Sequence, residues 1–409
     1  MSIATRYETI TGVRIGDQLP VFLLALGHGS AHWLGSAFYM LLPWIREDLG
    51  INYLVAGSLV AVTHLSSLLA NFGSGALTDV TGRRVLILCL SLVLGTLALV
   101  GISLINHPFE LAILIAIVGA TGHIWHPAAI SLLSGLYPEK RGFALSVHSL
   151  GASMGDALAP VTLGLMLSVM VWQTAVVITG LPVFGVVILL WYYLGRSEKS
   201  RDDPSLHNGW QGYLANLKLL CRSKALFLLS LMSAFHGAAQ TGLMMFVPIY
   251  LADHLGAGPM ITGFGFASLQ IGGIFVAPLT GLLSDRIGRK PIVLCALAGS
   301  AVMTWLLAFA ESEALFIPCV LLLGCLLFAL RPVEHSWCMD LAPEKMAGTA
   351  IGILFGVSSI FALATPILTG AVADNWEISK VFWMLAVLIV VSGLLAFFIP
   401  TKKPGKTSD

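Results

Sequence analysis

Histidine is costly to bury, yet this chain places it repeatedly among apolar residues. Residues 119–130 read GATGHIWHPAAI, so His123 and His126 stand three apart and share a face of any helix. His28 and His32, in GHGSAH (27–32), stand four apart and again share a face. Arg331, Glu334 and His335 form a third set at helical spacing, while His148 and Asp156 lie in another apolar stretch. Histidine titrates near neutrality and its neutral ring ligates transition metals. A carboxyl group removed from water can take up and release a proton, and an arginine can attract an anion. One reading is therefore proton carriage with binding of an anionic solute. A rival is a transition-metal site on the nitrogens of His28, His32, His123 and His126. No acid stands beside these four in sequence, and no Cys or Met ladder accompanies them. We therefore expect no resident metal and no cofactor. The plainest alternative is that several histidines only hydrogen-bond helix to helix.

The elements that carry these residues are membrane spans. The chain has 409 residues, 57% hydrophobic and 11% charged, with a mean hydropathy of +0.89. Soluble domains run nearer a quarter charged. Apolar runs predict twelve helices near 20–44, 52–77, 84–105, 109–135, 142–168, 172–195, 225–251, 260–283, 290–310, 313–339, 346–373 and 379–399. A polar segment, 195–224, separates the first six from the last six. This predicts an N-terminal half at 1–195, a linker at 196–224 and a C-terminal half at 225–409. Of the 22 Lys and Arg, only Arg46 and Lys380 fall on the side opposite the termini, and Arg331 falls inside a span. That bias predicts cytoplasmic termini and a cytoplasmic linker. The N-terminus lacks a signal-peptide core. The six cysteines show no paired motif and read as free thiols. A net charge of +1 gives no reason to expect a nucleic-acid partner. No P-loop, nucleophile elbow or zinc-protease motif appears, so an enzyme is not expected.

The halves repeat. GALTDVTGRR (75–84) matches GLLSDRIGRK (281–290) at an offset of 206, and LYPEKRG (136–142) matches LAPEKMA (341–347) at 205. LLPWIREDLG (41–50) and VPIYLADHLG (247–256) add a third match. Two parallel six-helix repeats are the arrangement of the major facilitator superfamily. The chain resembles that superfamily in its signature loop: Gly281, Asp285, Arg286, Gly288, Arg289 and Lys290 fit it fully. Gly75, Asp79, Gly82, Arg83 and Arg84 fit the first copy, with Val80 where a base is usual. In the superfamily this loop is a cytoplasmic gate, and an Asp–Arg pair there can latch one conformation.

Within the superfamily the chain is similar to the fosmidomycin-resistance group of exporters. GHGSAH (27–32), WHPAA (125–129) and RGFALSVHSLGASMGDALAP (141–160) carry that likeness. The acids that the group has where His32 and Ala128 stand are absent, which puts coupling and substrate in question. The resemblance implies an all-α membrane protein with the major facilitator fold. Its implied function is secondary active transport by alternating access: proton-coupled export of a drug-like or anionic compound, driven by the proton gradient. The implied setting is a monomer in the bilayer of a bacterial inner membrane. The superfamily's outer helices are the third, sixth, ninth and twelfth. The eight intramembrane histidines, including His64 and His236, avoid them, as groups facing a cavity or bundle interior should. Pro127 and Pro332 follow a polar residue at matching places and each should free a carbonyl toward that cavity. Gly151, Gly155 and Ala159-Pro160 resemble the antiporter motif of drug/proton exchangers, or pack two helices closely. Trp33, Phe38, Trp125 and Trp337 suggest either an aromatic lining or simple packing.

Overall fold

The computed structural model describes residues 13–14, 17–195, 223–342 and 347–400, without the side chains of 72, 75, 76, 79, 80 and 347–349. Long apolar runs without water must satisfy their backbone internally, so they wind into helices. Six precede residue 196: α1 (Leu19–Asp48), α2 (Tyr53–Thr81), α3 (Arg84–Gly101), α4 (Pro108–Leu136), α5 (Arg141–Leu167) and α6 (Trp172–Leu194). Six follow residue 222: α7 (Lys224–Ile249), α8 (Pro259–Ile287), α9 (Arg289–Leu307), α10 (Glu313–Leu341), α11 (Ala347–Asn375) and α12 (Lys380–Phe398). Eleven are long and apolar enough to cross a membrane. The twelfth, α1, is 30 residues long but diluted by Gly, Ser and His. Among the described residues there are no strands, and the fold is all-α. The predicted linker lies outside the described residues.

Local chemistry sets the ends. Pro108 opens α4 and Pro259 opens α8, where a missing N–H costs nothing. Asn52 caps α2 by accepting from the Val55 N–H. Four glycines have positive φ among the described residues: Gly50 at 59°, Gly82 at 62°, Gly256 at 64° and Gly288 at 95°. They form two pairs, each 206 apart, so the sequence repeat is also a repeat of backbone turns that only glycine makes without strain.

α1 packs along α5, and α2 along α4 and α11. α8 packs on α5 and α10, while α7 packs on α11 and α12. The first six helices thus meet the last six mainly through α2–α11 and α5–α8. Small residues permit this. A side chain at Gly57 would strike the Pro366 carbonyl, and one at Gly263 would strike that of Pro160. Both contacts lie at the end of the bundle opposite the termini. Polar links gather there too. Arg46 Nη2 donates to Asp253 Oδ2 at 2.7 Å, and the Tyr53 hydroxyl donates to the same oxygen at 3.2 Å. Asp374 of α11 accepts from the Tyr53 and Leu54 N–H groups at 2.9 and 2.8 Å. It places a carboxylate on the positive end of α2.

At the other end, Arg289 pairs with Asp285, and its Nε donates to Asp340 at 3.1 Å. The complete signature loop therefore braces α8, α9 and α10 within one set of six. Arg83 and Arg84 sit where α3 begins; the side chains of Gly75 and Asp79 lie outside the described residues.

Candidate functional site

The site is built on the seam between α1 and α5. Gly151 and Gly155 press against the backbones of Ala25 and Gly29, leaving no room for a side chain. The small-residue motif of α5 is thus a packing surface, and it brings polar groups together. His28 Nδ1 donates to the His148 carbonyl at 2.9 Å. His32 Nδ1 bonds Asp156 Oδ2 at 3.0 Å, and Ser36 Oγ donates to Asp156 Oδ1 at 2.8 Å. Residues 28, 32 and 36 follow one another at four-residue spacing, so one stripe of α1 supplies all three. Side-chain exposures of 28% for His32 and 19% for Asp156 leave this pair partly open.

α4 completes the group. Trp125 is fully buried against Gly27, which turns His126 toward α1. The His126 ring lies 5.0 Å from that of His28 and 6.1 Å from that of His32, centre to centre. The His28 ring stacks on His148 at 3.9 Å. His123 stays on its own helix, bonding the Gly119 carbonyl at 3.3 Å. His64 bonds the Tyr39 hydroxyl at 3.2 Å.

The second group is on α7 and α10. Glu334 is 3% exposed. Its Oε1 lies 2.5 Å from His236 Nδ1, and its Oε2 accepts from Ser233 at 2.6 Å. The other His236 nitrogen donates to the Leu327 carbonyl at 2.9 Å, which Gln240 also reaches at 3.3 Å. That carbonyl is available because α10 tightens into a 3₁₀ turn at Phe328–Leu330, just before Pro332. The carbonyl that Pro332 would free lies one turn back at Phe328, whereas the one these side chains take is the buried Leu327 carbonyl. Pro127 differs: α4 continues through it as α-helix.

Arg331 is exposed although it lies within α10. Among the described residues α4 and α10 make no substantial contact. The Glu334 carboxylate turns to His236 and Ser233 of α7 and not to Arg331 on its own helix. His335 packs its ring against Phe355 at 5.2 Å. Phe38, Trp125 and Trp337 are buried at 2%, 0% and 4% exposure; these aromatics are packing, not lining. Three partners escaped sequence reasoning: Ser36, Ser233 and the Arg46–Asp253 pair. Ser36 was detectable as the next turn of the His28–His32 stripe.

The family model for the Major Facilitator Superfamily matches residues 24–269 and 229–409. The multidrug resistance protein MdtG of Yersinia enterocolitica is 23% identical over 386 residues, covering 92% of each chain. The probable nitrate/nitrite transporter NarK2 of Mycobacterium tuberculosis is 25% identical over 366 residues, covering 86% of this chain and 87% of its own. Among solved structures, a bacterial homolog of the human lysosomal transporter Spinster, inward-facing and unoccupied, superposes with a TM-score of 0.79. Its identity is 14%, over 95% of this chain and 98% of that one. The nucleoside transporter NupG superposes with a TM-score of 0.77 at 12% identity, over 94% and 100%. With twelve helices among the described residues, six on each side of residues 196–222, and a family match from residue 24 to the end, the chain belongs to the major facilitator superfamily, as a multi-pass secondary transporter of a small molecule and not an enzyme.

Proposed function

We propose that the protein exports a drug-like or anionic compound across a bacterial inner membrane in exchange for protons. The observation that carries this reading is the His32–Asp156–Ser36 chain, a histidine–carboxylate pair that is partly open, together with an exposed arginine, Arg331, within α10. Asp156 and His32 carry the proton, and Arg331 supplies the attraction for an anion. The likeness of residues 27–32, 125–129 and 141–160 to the fosmidomycin-resistance group favours export, as does the similarity to MdtG. The halves at 1–195 and 225–409 rock as two bodies of one monomer, joined by the 196–224 linker. With cytoplasmic termini, as the Lys and Arg distribution favours, the closed end is periplasmic and the state is inward-facing.

The test uses everted vesicles with an acidic interior and a panel of organic anions and lipophilic drugs. Asp156→Asn should abolish accumulation driven by the pH gradient yet keep counterflow, because exchange of solute for solute needs no net proton movement. Accumulation that persists in Asp156→Asn would overturn the assignment.

A further inference from the structure

We propose that His28, His32 and His126 form a binding site for one divalent transition-metal ion of the zinc or cobalt kind. One ring nitrogen from each lies within 4.8 Å of the other two. This goes beyond the export reading and does not depend on which solute is moved.

The hydrogen bonds on the far side of two of the rings point to ligation. A metal-binding imidazole holds the ion with one nitrogen and donates from the other to a carbonyl or carboxylate, which sets tautomer and orientation. His28 does this through Nδ1 to the His148 carbonyl, and His32 through Nδ1 to Asp156. Both rings therefore keep a bare Nε2 lone pair. Asp156 is itself anchored by Ser36, so the outer partner is held as well. The missing acid that argued against a metal in the sequence is Asp156, brought from 124 residues away.

A second observation is independent of these bonds. His28 Nε2 is buried and has no hydrogen-bond partner, in a residue only 6% exposed. A metal ion would satisfy the lone pair of this nitrogen. Unlike the neighbouring His148 nitrogens, which also lack partners, it belongs to a ring that closes on two other imidazoles. His123 belongs to another arrangement, since its Nδ1 is bonded within α4.

Imidazole nitrogens select first-row transition metals over calcium or magnesium, which take oxygen. Tetrahedral bonds of about 2.0–2.1 Å set the nitrogens roughly 3.3 Å apart. The rings must draw together modestly, and side-chain rotation suffices because His32 and His126 are not fully buried. The fourth position is left for water or an oxyanion oxygen. All three ligands come from α1 and α4, so the site moves as a unit within one half.

The experiment titrates Co2+ into the full-length protein, purified in detergent without a polyhistidine tag, and follows its visible d–d absorption. One saturable ion per chain, displaced by Zn2+, is expected. His126→Gln and His32→Gln should abolish the band. Asp156→Asn should weaken binding by about 10–100-fold, and His123→Gln should bind as the parent does. Thermal unfolding without metal shows which variants remain folded. No saturable band, a band that survives in His126→Gln, or its equal loss in His123→Gln would overturn the site. Because no transport is measured, a missing cobalt signal leaves proton-coupled export standing. Conversely, pH-driven transport that survives in Asp156→Asn leaves the metal site standing.

Discussion

At the scale of single residues, the two halves handle buried charge in different ways. In the first, Asp156 is partly open and bonded to His32 and Ser36. In the second, Glu334 is sealed with His236 and Ser233. A sealed pair is a structural commitment: losing one partner leaves a buried charge alone, at a cost of about 3–5 kcal/mol. His236→Leu should therefore lower the unfolding midpoint sharply. The double variant His236→Leu/Glu334→Met should recover much of it, since both charges are then gone. Equal destabilisation in single and double variants would show that the pair is not the source. Arg331 is the opposite case, a charge within α10 that stays exposed. Arg331→Lys should retain part of the affinity for an anionic solute, because the charge survives while the planar fork is lost. Arg331→Met should abolish that binding, and isothermal titration that found it unchanged would remove Arg331 from the site.

At the scale of the element, the seam of α1 and α5 decides whether the site exists. Its contacts are backbone on backbone at Gly29, Gly151 and Gly155. A branched side chain at Gly155 must push the helices apart, and overpacking costs about 1–3 kcal/mol. The same movement separates His32 from Asp156. Gly155→Val should thus lose thermal stability together with pH-driven transport. Gly185 in α6 has open space around its missing Cβ, so Gly185→Ala should leave the unfolding midpoint unchanged or raise it slightly. Matching losses in both variants would mean that glycine matters for flexibility, not for close approach. The 3₁₀ turn in α10 at Phe328–Leu330 is held from α7, where His236 and Gln240 donate to the Leu327 carbonyl.

At the scale of the whole molecule, the bundle is held shut at the end opposite its termini. Arg46 and Tyr53 converge on Asp253, while Asp374 caps α2 from the other half. A solvent-accessible ion pair contributes about 0–1 kcal/mol, and a helix cap about 1 kcal/mol. Those sums suffice to bias an equilibrium between two packings. Asp253→Asn with Asp374→Asn should shift the populations by about 5–30-fold away from this state. Spin labels at the ends of α1 and α7 should then show a second, longer distance. An unchanged distance distribution would reduce these contacts to bystanders of closure. The signature loop at the other end pairs within its own half, Arg289 with Asp285 and Asp340. Among the described residues it is a brace in this state.

Hydropathy and spacing alone determined the twelve spans, their repeat and the stripes of His28 with His32 and of His123 with His126. Each of these depends on residues near one another along the chain, or on the bilayer acting equally on every apolar run. The positive φ at Gly82 and Gly288 was not read from the motif, which marked them only as matching positions of the repeated loop. The choice of partners was not local. His32 finds Asp156, Glu334 finds His236 and Arg46 finds Asp253, over separations of 124, 98 and 207 residues. Nothing in the spacing of α10 showed that Glu334 would turn from Arg331 to α7, because that depends on how the 3₁₀ turn rotates one helix against another. Likewise Trp125 and Trp337 could have faced either side until helix packing buried them. Periodicity assigns a residue to a face of its helix; only the packed bundle decides what that face meets.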